Sequence, residues 1–134
     1  MRSCWKLAGL AAAALWLPVP GLAATSTPYA YGGSAKKFEQ DVARYRRSGE
    51  PFKITGHCQS ACTMFLALPN VCIEPGAELL FHAGKHEFAT RLMINSYNTK
   101  LRRYLRENHA MESSAFFMIA GRAMIGRFGY RACR

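Results

Sequence analysis

The chain has 134 residues, half of them hydrophobic, with 18 Lys and Arg against 8 Asp and Glu for a net charge of +10. That length is enough for one modest domain. No apolar run is long enough to cross a bilayer, which takes about 20 residues.

The first element in chain order is MRSCWKLAGLAAAALWLPVPGLAATS. Arg2 and Lys6 make a short positive head, Leu7 to Leu17 is unbroken and apolar, and Pro18 and Pro20 precede the small residues Gly21, Ala23 and Ala24. This is the layout of a signal peptide over residues 1–24, cleaved after Ala23 or Ala24, and it predicts a single domain over 25–134 in the periplasm or outside the cell. Cys4 lies too early to be lipidated at the cleavage site. The exported part keeps Cys58, Cys62, Cys72 and Cys133, an even number, which predicts two disulfides among three permitted pairings. Their spacings fit no familiar zinc pattern.

Ser34 is placed to cap a helix through AKKFEQDVARYRR, with Phe38, Val42 and Tyr45 as its buried stripe and Gly49 as its stop. PFKIT (51–55) reads as a strand, and Gly56 bounds it. A second helix is predicted from Ser60 to Leu68, ended by Pro69 and Asn70. VCI (71–73) and AELLF (77–81) read as strands about the turn signal EPG. TRLMINSYNTKLRRYLREN predicts one helix with Thr90 as its cap, and ESSAFFMIAGRAMI another. The tail GRFGYRACR is short enough for Cys133 to pin it down. The order of elements predicts an α/β domain with a small sheet flanked by helices.

Positive charge gathers at 36–37, 44–47 and 100–106. Solvated helix faces are the plain explanation. An anionic partner in the cell envelope is the functional one, since export makes nucleic acid a poor fit.

The stretch GHCQSACTMF carries the chemistry. A serine where a strand turns into a helix is pushed out of the surface, and the helix start offers free N–H groups. Ser60 is the candidate nucleophile, and His82, closing the strand at LLFHAG, the candidate base. The backbone N–H groups of Ala61 and of Gly33, in the Gly32–Gly33 turn, are the candidate oxyanion donors. Each has a plainer role: a serine as N-cap, a glycine pair as a turn, a histidine capping a strand end. His82 and His86 are four apart and His57 adjoins the serine, but HAGKH contains a glycine and lacks the glutamate of the zinc-protease signature. No metal and no cofactor is expected.

The run from YGGSAKKF to LLFHAG resembles the Clp protease and crotonase-like superfamily. Gly32, Gly33 and Ser34 match its Gly-Gly-Ser turn, Ser60-Ala61 its nucleophile and following residue, and His82 its base. Small exported, periplasmic bacterial proteins of that superfamily share the G-x-C-x-S-A-C-T run, the VC strand, the FHA ending and a terminal Cys. The resemblance implies a minimal or truncated Clp/crotonase-like domain and a serine hydrolase of peptidase or esterase type acting on a peptide or ester. It also implies a homo-oligomer completing the sheet, because little chain precedes Gly32. The superfamily places an acid after the histidine. Here Glu87 and Glu112 follow His82 in no matching motif and the only aspartate is Asp41, so the third member is unassigned. The rival reading is a non-catalytic, disulfide-stapled envelope module that binds through its basic surface.

Overall fold

The structure is a computed structural model that describes residues 23–134. The predicted signal segment therefore lies outside the described residues, apart from its last two positions. Among the described residues six strands and four α-helices follow one another: β1 (Ala24–Thr25), α1 (Ala35–Ser48), β2 (Phe52–Ile54), β3 (His57–Gln59), β4 (Val71–Ile73), β5 (Glu78–Phe81), α2 (Glu87–Asn95), α3 (Thr99–Glu107), β6 (Phe117–Ala120) and α4 (Gly121–Gly126). A 3-10 turn precedes α1 at Thr27–Tyr29, and a 3-10 helix joins β3 to β4 over Ser60–Ala67.

The α/β expectation holds, but there are two small sheets rather than one. The first is β1-β2-β4, all parallel, and the second is β3-β5-β6 with β5 and β6 antiparallel. The chain leaves the first sheet at Ile54, turns at Gly56 with φ +57° and enters the second at His57. A glycine suits that turn because the left-handed region is costly for a residue with a Cβ. The next pass repeats the pattern, with β4 joining the first sheet and β5 the second.

Helix α1 forms as its sequence predicts. Ser34 Oγ accepts from the Lys37 N–H, Gly49 closes the helix at φ +68°, and Phe38 and Val42 are buried with Tyr45 half-buried. These side chains meet the fully buried Phe52 and Phe65, whose rings stack at 4.2 Å, with Tyr29 closing the cluster. Burial of each such ring contributes about 1.5–3 kcal/mol.

Three predicted helices differ from the structure. Ser60–Ala67 is a 3-10 helix. Its first turn is tied down by the Cys58–Cys62 bridge and by the Thr63 hydroxyl on the Ser60 carbonyl, and six of its eight residues are buried. The long helix at 90–108 is two helices, broken at Ser96–Asn98. His86 Nδ1 caps α2 and Asn98 Oδ1 caps α3, while Thr90 sits inside α2 and its hydroxyl accepts from the Gly84 N–H. The helix predicted at 112–125 is strand β6 followed by the short α4. The apolar run Phe117–Ala120 pairs with β5, and the turn into α4 needs Gly121 because a Cβ there would strike the Glu74 carbonyl. Pairing with a neighbouring strand has overridden a local helix preference.

The cysteines form Cys58–Cys62 and Cys72–Cys133, so the predicted use of these residues in disulfides is correct. The second bridge closes 61 residues of sequence, worth about 4 kcal/mol by chain entropy. It also lays the tail along β4, where Ile73 N–H donates to the Arg131 carbonyl and Cys133 N–H to the Ile73 carbonyl. Among the described residues no helix is long and apolar enough to cross a membrane.

Asp41, the sole aspartate, is buried on α1 between Lys37 Nζ at 2.8 Å and an Arg44 guanidinium nitrogen at 3.3 Å. Burial pushes its pKa up, but the hydrogen bonds and charges of Lys37 and Arg44 outweigh that and hold it below the ordinary 3.8. The unfolded chain therefore takes up the proton first. The stabilisation is complete above the ordinary carboxylate value and is lost as pH falls through the folded one. Asp41→Asn is expected to cost about 0.5–1 kcal/mol at neutral pH. It should also flatten the fall in stability below about pH 4; urea unfolding of both proteins from pH 7 to pH 3 measures this.

Candidate functional site

Gly33, Ser60 and His82 line one pocket of about 890 Å³. The Gly32–Gly33 turn forms one wall, the β3-to-3-10 junction the floor, and the loop after β5 with the start of α2 the opposite wall. Tyr31, Phe88 and Phe116 stand exposed on its rim, and Met93 is buried beneath.

Ser60 is not a cap. Gln59 holds the N-cap position with extended backbone and no side-chain bond, and Ser60 is the first residue of the 3-10 helix at φ +56°. A left-handed serine costs about 1–3 kcal/mol and persists only where its surroundings impose it. Here they do so from three sides. The bridge from Cys58 to Cys62 spans it. Gly32, at φ +73°, lies so close that a Cβ there would come within 2.9 Å of both the Ser60 Cβ and the Gln59 carbonyl oxygen. Behind it, the Thr63 hydroxyl donates to the Ser60 carbonyl at 2.7 Å. That donation leaves Thr63 Oγ1 as the acceptor for the buried Tyr97 hydroxyl at 2.6 Å. Burial pushes the Tyr97 phenol up, so it stays a proton donor. The Ser60 hydroxyl itself has no hydrogen-bond partner among the described residues.

The predicted oxyanion donors divide. Gly33 lines the pocket at φ +151°, a conformation open to glycine. Ala61 is buried and not on the pocket wall, although its nitrogen would lie 3.2 Å from a Cβ on Gly32, which puts the glycine turn directly over the Ser60–Ala61 peptide. Neither N–H is committed to a backbone carbonyl in the turn and cap bonds of the described residues.

His82 is where the expected pair departs from a formed one. Both ring nitrogens are buried without a hydrogen-bond partner, so the ring does not hold the Ser60 hydroxyl. It packs edge-on to Phe116, centroids 4.9 Å apart. No carboxylate lines the pocket; its charged side chains are Lys36 and Lys85. Glu87 is paired with Arg91 and Glu112 with His109, so neither orients His82, and Asp41 is committed within α1. His86 shares the pocket with His82 but spends Nδ1 on the α2 cap, and His57 bonds Gln59. Among the described residues no three His, Cys, Asp or Glu side chains gather as a metal would need.

Comparison with family models, with curated proteins and with solved structures finds no match to the chain.

Thr63 and Tyr97 carry no sequence signal for a supporting role, being 34 residues apart and each unremarkable in its helix pattern. Thr63→Val would strand the Ser60 carbonyl and the Tyr97 hydroxyl together, at a cost of about 2–3 kcal/mol. Adding Tyr97→Phe should recover part of that loss, because one stranded group is removed. Urea unfolding of the two single variants and the double variant measures the coupling.

Proposed function

We propose that the protein is an exported serine hydrolase of peptidase or esterase type, built as a minimal Clp/crotonase-like domain. The observation that carries this reading is Ser60, held left-handed with a free hydroxyl at a pocket that His82 and Gly33 also line. Strain of this kind is retained where exposure of the hydroxyl is worth its cost. Ser60 Oγ would attack the acyl carbon, and its proton would pass to a His82 ring nitrogen and on to the leaving group. The Gly33 and Ala61 N–H groups would receive the oxyanion. His82 would have to leave its packing on Phe116 and turn toward the serine when substrate binds. The aromatic rim fits an apolar acyl or side-chain group, and the two lysines favour a substrate bearing a carboxylate. The disulfides suit the oxidising compartment that the signal segment predicts.

The lack of any carboxylate beside His82 favours the second reading, a binding module that keeps the pocket without the chemistry. A fluorophosphonate probe separates the two. The hydrolase reading predicts labelling of the oxidised protein, none in Ser60→Ala, and at least about a hundredfold slower labelling in His82→Ala. Folded protein that resists the probe would leave the binding module.

A further inference from the structure

A second cavity of about 540 Å³ lies between the end of α2, the length of α3 and the loop at 110–112. Its lining has two characters. Ile94, Leu105 and Met111 make an apolar floor, with Leu105 and Met111 buried. Arg102, Arg103 and Arg106 stand on the wall, all from α3, with Arg106 one turn on from the other two.

These arginines are not paired within the described residues. None of the three takes part in a salt bridge or a side-chain hydrogen bond there, in contrast to Arg44 and Arg91, which pair with Asp41 and Glu87. Glu112 is the only acidic side chain on the wall, and its carboxylate accepts from His109 Nδ1 at 2.9 Å. Three cations against one carboxylate leave the mouth net positive, and an anion is favoured there. Guanidinium forks match phosphate oxygens in pairs. The floor adds a second requirement, since inorganic phosphate would leave the half-buried Ile94 side chain uncovered.

We propose that this cavity binds a single anionic phospholipid, with Arg102, Arg103 and Arg106 on the headgroup phosphate and the start of an acyl chain on the floor. The site is independent of Ser60 and would hold the protein at an anionic leaflet whether or not the serine reacts.

The test uses short-chain dihexanoyl phosphatidylglycerol kept monomeric, with the zwitterionic phosphatidylcholine analogue and inorganic phosphate alongside, read by NMR at the Ile94 and Met111 methyls. The expected result is saturable shifts at those methyls with phosphatidylglycerol. Affinity should be lost by roughly a hundredfold in Arg102→Gln/Arg103→Gln/Arg106→Gln and by a few-fold at most in Arg46→Gln/Arg47→Gln/Arg134→Gln, which removes the same charge elsewhere. Should the triple variant fold poorly, Arg103→Gln alone should show a smaller loss of the same sign. Three results would overturn the proposal: equal weakening in both triple variants, equal shifts with phosphatidylcholine, or displacement of the lipid by equimolar inorganic phosphate. So would the absence of shifts with phosphatidylglycerol.

Discussion

The left-handed backbone of Ser60 is the constraint on which the arrangement around it turns. A serine there is unfavourable by itself, so the chain must supply contacts that leave no alternative. It does so with a disulfide that spans the residue, a glycine turn that sits directly on it and a buried Thr63–Tyr97 chain on its carbonyl. Through Tyr97 the turn is tied to the junction of α2 and α3, and through Cys58 to β3, an edge strand of the second sheet. Without the strained turn nothing would hold the hydroxyl at the pocket floor.

The two sheets explain how so short a chain places a serine and a histidine on one pocket. Each pass contributes one strand to each sheet, so β3 and β5 run parallel as neighbours and deliver Ser60 and His82 at the same end. The short strands could not hold that alignment alone. The Phe52–Phe65 stack fixes the first sheet against the 3-10 helix, and the tail covers the outer edge of β4 with its bridge to Cys72.

Much of this was legible in the sequence where the signal is local. The Ser34 cap, the Phe38–Val42 stripe and the Gly49 stop name α1 outright, and turn residues bound β2, β4 and β5. The order glycine pair, serine, histidine marks three of the residues that line one pocket. What the sequence hid depends on contacts distant along the chain. Phe117–Ala120 looks helical beside its neighbours and becomes a strand because β5 offers an edge. Asn98 starts α3 after the break, where its side chain also donates to the Phe128 carbonyl and its N–H to the Tyr130 hydroxyl. The Thr63–Tyr97 bond and the arginine-walled cavity are equally invisible, since a pattern of charges and apolar residues does not say which of them share a hollow.

The pH dependence of Ser60 phosphonylation reaches the central claim most directly. The second-order rate constant should rise as a single basic group loses its proton, and the rise should vanish in His82→Ala while the fold is kept. A rate that matches a solvent-exposed serine, or a profile unchanged by His82→Ala, would contradict the account.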